Sequence, residues 1–180
     1  DGNRRQKLLR VAARLFRRQG FAATTTRDIA AAAGMRSGSP FYHFESKAAL
    51  LFAVMEQGMR AALQHQARAL ESMLARPADV TPDALLRALV RAHFDILLGP
   101  GSDFVPVMLY EWRSLTALQR SAIATLQRDY EGAWAGALTL ALGIALLLTA
   151  VVVANRPAWQ ALGIKLDDRI PPARKPLLTV

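Results

Sequence analysis

The chain contains no cysteine, and that absence removes several chemistries at once. A disulfide framework, thiolate zinc sites and cysteine nucleophiles are all excluded, and the composition suits a reducing compartment, so a cytoplasmic location is expected. Acidic residues are scarce as well: 14 Asp and Glu stand against 23 Lys and Arg, a net charge of +9. No segment shows the period-2 alternation of a half-buried strand. There is no glycine-rich phosphate loop and no strand-turn-helix nucleophile elbow. His65 and His93 have no second His or carboxylate at i+3 or i+4 to make a metal pattern. Catalysis, a metal and a cofactor are therefore not expected. The opening Asp1-Gly2 and its basic run lack the charged tip and apolar core of a signal peptide.

What is present is apolar and basic. Hydrophobic residues make up 52% of the 180 positions, a globular balance with enough apolar material for a sizeable core. The charge is unevenly placed. Residues 1–60 hold eleven Lys and Arg against four Asp and Glu, whereas residues 61–180 hold twelve against ten. A basic first third followed by a nearly neutral remainder is the electrostatic footprint of a polyanion binder. Charge alone leaves DNA, RNA, an anionic membrane surface and a merely solvated basic face open.

Helical periodicity runs through almost the whole chain. Leu8, Val11, Ala12, Leu15 and Phe16 form one apolar stripe between Arg4 and Gln19, and Gly20 sits where a helix-ending glycine belongs. Thr25 reads as an N-cap with Asp28 as the acidic partner of a capping box, and Gly34 closes a helix of about two turns. Ser37 and Pro40 predict the start of a second short helix over about Gly38–Phe44, and Ser46 caps a longer helix from Lys47. Two short helices joined by a glycine-bearing turn and packed on a basic helix follow the helix-turn-helix plan. The second helix must bring small polar or hydrogen-bonding side chains to its exposed N-terminal end, and Arg36, Ser37, Ser39, Tyr42 and His43 fit that need.

The run Thr24-Thr25-Thr26-Arg27-Asp28-Ile29-Ala30, with Ala33-Gly34-Met35, Gly38-Ser39, His43-Phe44 and Ser46-Lys47, resembles the DNA-binding domain of TetR/AcrR-family transcriptional regulators over Leu8–Val54. The resemblance implies an all-α homodimer: a three-helix head at residues 1–47 and a helical ligand-binding and dimerisation body at residues 48–180. The heads would sit in successive major grooves of a palindromic operator, and a small molecule in the body would release them. It also implies that Thr25 puts its hydroxyl and backbone N–H on a phosphate, and that Lys47 holds a phosphate as a point charge. Three positions depart from the family pattern. Arg36 stands where a small capping Ser is usual. Phe41 replaces a Tyr whose hydroxyl often meets phosphate, with Tyr42 beside it, and Pro40 stiffens the entry to the recognition helix.

Beyond the head, Thr81-Pro82-Asp83 starts a helix that runs to Gly99-Pro100, a shorter one spans about Phe104–Leu115, and a long one begins at Ala117. Phe94, Phe104, Met108, Tyr110 and Trp112 are candidates to line an apolar effector pocket between these helices, each with ordinary core packing as its alternative. Glu111-Trp112-Arg113-Ser114-Leu115 and Arg128-Asp129-Tyr130-Glu131 look like the body of a TetR subgroup that includes acyl-CoA-responsive regulators. Residues 133–154 carry no charge and reach the ~20 apolar residues that span a bilayer. Three readings compete for them: a buried helix pair broken near Gly143 at the dimer interface, a membrane anchor for a cytosolic head, or a segment out of frame with the family's usual ending. The first is the expected one, with no membrane involved. A ligand-independent DNA binder is the further alternative to a ligand-released repressor.

Overall fold

The computed structural model describes residues 2–36, 42–76 and 80–154. Among them are six α-helices: α1 (Gly2–Ala23), α2 (Thr26–Ala32), α3 (Lys47–Leu74), α4 (Pro82–Leu98), α5 (Phe104–Glu111) and α6 (Ala117–Ala154), with a 3₁₀ turn at Trp112–Ser114 after α5. The all-helical class follows the 3.6-residue periodicity of the sequence. The expected recognition helix over Gly38–Phe44 falls mostly outside the described residues, as do the Trp159–Leu162 turn and the proline-rich tail expected after Asn155.

Local chemistry sets the boundaries. Gly20 takes φ 81°, ψ 160° inside α1, a conformation that side-chain-bearing residues rarely adopt, and there the helix changes direction. The buried Thr24 hydroxyl donates to the freed Gly20 carbonyl at 2.7 Å. The Thr25 hydroxyl then accepts from Asp28 N (3.1 Å), and the Thr25 N–H donates to Asp28 Oδ2 (2.8 Å), completing the capping box of α2. Its far end closes as a Schellman motif: Gly34 has φ 67°, Gly34 N–H donates to Ala31 O (3.0 Å) and Met35 N–H to Ala30 O (2.8 Å). Ser46 caps α3 through Ala49 N (3.0 Å), and Thr81 caps α4 through Ala84 N (3.1 Å), with Pro82 in the first turn. Thr116 and Gln119 form a reciprocal box at the start of α6, which the sequence reading overlooked.

The main core joins head and body. Leu8, Leu9, Ala12, Ala13 and Phe16 of α1 meet Ile29 and Ala33 of α2, Phe44, and Leu50, Leu51, Val54 and Met55 of α3. The same cluster continues into Phe104 and Val107 of α5 and Ile123 of α6. The α1 stripe is therefore broader than expected, taking in Leu9 and Ala13. Each fully buried aliphatic side chain contributes about 1.5–3 kcal/mol. A smaller cluster of Leu85, Leu89 and Ala137 fastens α4 to α6.

The expected break near Gly143 does not occur: α6 runs as a single helix of 38 residues. An isolated helical glycine costs only about 1 kcal/mol relative to alanine, too little to end a helix without a proline or a cap. Leu138, Leu142 and Leu147 are exposed along it. Among the residues whose side chains are described, no helix is long and apolar enough to cross a membrane.

Candidate nucleic-acid interface and effector pocket

The α2 caps and the Schellman turn direct the chain into a hollow lined by Arg4 and Lys7 of α1, Gly34, Arg36, Tyr42 and His43. Three cations therefore converge where the recognition segment begins, and Tyr42, 90% exposed, stands clear of the body. Arg5 lies over the Phe44 ring at 5.1 Å, which ties the basic end of α1 to the segment before α3. Of the expected contact residues, Arg36, Tyr42 and His43 share this hollow. Ser37, Ser39 and Phe41 lie outside the described residues. Arg4 and Lys7 were not singled out from sequence, because α1 displays basic residues all along its outer face.

Two expected phosphate ligands are placed differently. The Thr25 N–H is already bonded to the Asp28 carboxylate. The Thr25 hydroxyl, and after it this N–H, hold the Asp28 carboxyl below the usual carboxylate range. The Lys47 ammonium donates to Phe21 O (2.8 Å), Thr24 O (2.8 Å) and Ala22 O (3.4 Å), and sits 4.4 Å from the centre of the Phe21 ring. Its three protons are spent on carbonyls that the kink at Gly20 leaves over. The geometry makes Lys47 a clamp between α3 and the end of α1.

The clamp has a partner from the body. Glu111, the last residue of α5, accepts from Phe21 N–H at 2.8 Å, and Ser114 steadies its other oxygen at 3.2 Å. Arg17 meets Asp103, just before α5, at 2.6 Å. Phe21, the residue after Gly20, is thus held through its N–H by α5 and through its carbonyl by α3.

An apolar cavity of ≈ 130 Å³ lies between α3, α4, α5 and α6, lined among others by Met59, His93, Ile96, Phe104, Met108 and Tyr130. Two of the five expected residues, Phe104 and Met108, face it. The other three do not: Phe94 is 54% exposed, Tyr110 is 83% exposed, and Trp112 packs half-buried on the main core. On α4 the inward position belongs to His93, one residue and ~100° away from Phe94. His93 Nδ1 is 2.8 Å from the Tyr130 hydroxyl, and its ring meets Trp134 edge-on at 5.7 Å. Burial pushes the Tyr130 phenol up from its ordinary value. No spacing rule points to this pair, because its members are 37 residues apart.

Residues 8–54 match the family described as bacterial regulatory proteins, tetR family. That range covers α1 from Leu8 onward, the capped α2 and the first turns of α3. The head carries a TetR-family domain. Among curated TetR-family relatives, the chain is 33% identical over 136 residues to the HTH-type transcriptional repressor KstR2 of Rhodococcus jostii (strain RHA1), covering 75% of this chain but only 63% of that repressor. Among solved structures it resembles superantigen PfiT, with 33% identity, a TM-score of 0.68 and coverage of 88% of this chain and 84% of that one. It also resembles AibR in complex with isovaleryl coenzyme A and operator DNA, with 29% identity, a TM-score of 0.61 and coverage of 79% and 74%.

Proposed function

We propose that this protein is a ligand-responsive, DNA-binding transcriptional repressor of the cytoplasm. It binds a palindromic operator as a homodimer through residues 1–47 and takes a small apolar effector in residues 48–180. The observation that carries this reading is the convergence of Arg4, Lys7, Arg36, Tyr42 and His43 on the hollow behind the capped α2. Cations there fix register on phosphates, and Arg36, Tyr42 and His43 are the candidates to meet base edges or flanking phosphates, with Ser37, Ser39 and Phe41 in the same expected contact set. The exposed Leu138, Leu142 and Leu147 of α6 supply an apolar surface for the second copy. Two recognition segments then stand roughly 34–36 Å apart, one turn of DNA.

The cavity supports an effector with a short apolar group. Its ≈ 130 Å³ is below the ~300–1,000 Å³ of sites that enclose a drug-sized ligand, and equals the liquid volume of about four waters. A short acyl chain suits it, in keeping with the isovaleryl coenzyme A bound by AibR. Phe104 and Met108 line the cavity, and Glu111 ends the same helix on Phe21 N–H. A ligand that pushes on α5 therefore pulls on the kink of α1. Release needs only that the ligand bind one head placement more tightly than the other.

The test is selection of duplexes from a random pool by the detergent-free protein, with molar mass read by light scattering. A particle near twice 19.7 kDa on one palindromic duplex, with specific binding weakened in Arg36→Ala and Tyr42→Ala at unchanged helical content, supports the reading. If no duplex is selected, the DNA-binding reading falls and the likeness to superantigen PfiT takes precedence. Partition into the membrane fraction would restore the anchor reading of residues 133–154.

A further inference from the structure

The body carries a second concavity, of ≈ 660 Å³, along the seam of α3 and α4. We propose that it binds a nucleotide, with phosphates on its arginine walls and the base on its floor. This goes beyond the operator and effector sites. The walls present Arg68 from α3, Arg76 from the chain just past its end, and Arg87 and Arg91 from α4, with Ser72 between the first pair. The floor is Ala69, Ala84, Ala88 and Ala92 with the Met73 thioether. The spacing is regular: 68 and 72 are four residues apart on α3, 84, 88 and 92 recur every four on α4, and 87 and 91 flank the latter row. Such rows stack on one helix face.

Lining up like charges is unfavourable. Arg87 and Arg91 are an i, i+4 pair of the same sign, which weakens a helix by a few tenths of a kcal/mol, and the opposite wall adds two more cations. Among the described residues, Arg68, Arg76 and Arg91 have no carboxylate within ion-pair distance. Arg87 meets only Asp83 of its own helix at 2.8 Å, and at the far end His65 faces Asp95 at 3.4 Å. An oligophosphate relieves the repulsion on both walls and matches the bidentate geometry of guanidinium. The four alanines and the Met73 thioether put apolar surface between those walls, against which the face of a base can lie. Volume agrees, since ≈ 660 Å³ lies within the range of small-molecule sites while the apolar cavity does not.

The full chain is titrated with ADP, adenosine and inorganic pyrophosphate by calorimetry at low salt, beside Arg68→Gln/Arg91→Gln, Ala88→Phe and the head variant Arg36→Gln. The proposal expects one ADP per chain, at least tenfold weaker binding in the double variant, a comparable loss in Ala88→Phe, and no change in Arg36→Gln. Adenosine alone should bind far more weakly than ADP. Pyrophosphate binding as tightly as ADP would overturn the role of the floor and with it the nucleotide. Loss in Arg36→Gln but not in the double variant would place the anion on the head and refute the site. Circular dichroism of each variant separates lost binding from lost fold.

Discussion

Replacing Gly58 with alanine should destabilise the protein, although the same change in an exposed helix would stabilise it. Gly58 lies inside α3, and a Cβ built there meets the root of the Phe104 side chain: the Phe104 Cβ at 2.7 Å, with the ring atoms Cγ and Cδ2 closer still. Alanine in place of glycine favours a helix by about 0.5–1 kcal/mol. Overpacking a filled core costs about 1–3 kcal/mol. The larger figure applies here because the colliding atoms cannot rotate away. Phe104 can yield only if α5 moves, and α5 is held by the buried Val107 and by Glu111 on Phe21 N–H. The net expectation is a loss of about 2 kcal/mol, or roughly 4–8 °C in Tm for a chain of this size, measured by calorimetry at fixed protomer concentration. A double-mutant cycle sharpens the test. Phe104→Ala alone should cost about 3–5 kcal/mol, and adding Gly58→Ala to it should now stabilise, since the new methyl enters the vacated space. A Tm above that of the parent for Gly58→Ala, or strictly additive effects in the cycle, would refute the close packing of α5 on α3.

Lys47→Met should weaken operator binding through the α1–α3 junction without changing the slope of log K against log salt, whereas Arg36→Gln should reduce that slope by about one; a matching drop for Lys47→Met would return that lysine to the phosphate. Asp28 contributes through a lowered carboxyl pKa. Its stabilisation is present above the ordinary carboxylate value and is lost as pH falls through the lowered one, so acid unfolding followed by circular dichroism should show a limb that Asp28→Asn lacks. Gln66 is 2% exposed, and its Nε2 has no hydrogen-bond partner among the described residues. Gln66→Leu should therefore raise stability by about 1 kcal/mol in a denaturant titration, and a fall would mean that the amide has a partner.

The parts of this molecule that could be read in advance are those written within a few residues. The Thr25–Asp28 box, the Ser46 and Thr81 caps and the turn at Gly34 each depend on groups three to five positions apart, so these helix ends were legible down to their hydrogen bonds. The cavity was not. Helix α4 carries apolar residues on more than one face, and whether Phe94 or His93 turns inward is fixed by α6, nearly forty residues on. Helix α5, Phe-Val-Pro-Val-Met-Leu-Tyr-Glu, is apolar all round, so periodicity could not say that Tyr110 faces outward. The contacts of Lys47 were out of reach for a related reason. Its position at a helix N-terminus suggested an anion, but the carbonyls that capture it exist only because Gly20 bends α1 some 27 residues earlier.

The edge-on contact of Trp134 with His93 has a practical meaning for anyone working with this protein. The indole touches an imidazole that is itself bonded to the Tyr130 hydroxyl, and His93 and Tyr130 both line the apolar cavity. A molecule entering that space must disturb the surroundings of an intrinsic fluorophore, so emission intensity becomes an occupancy gauge that needs no label. With no native thiol in the chain, a single cysteine engineered near Tyr42 would take a dye at one place only. Occupancy of the body and displacement of the head could then be timed against each other in one stopped-flow cuvette.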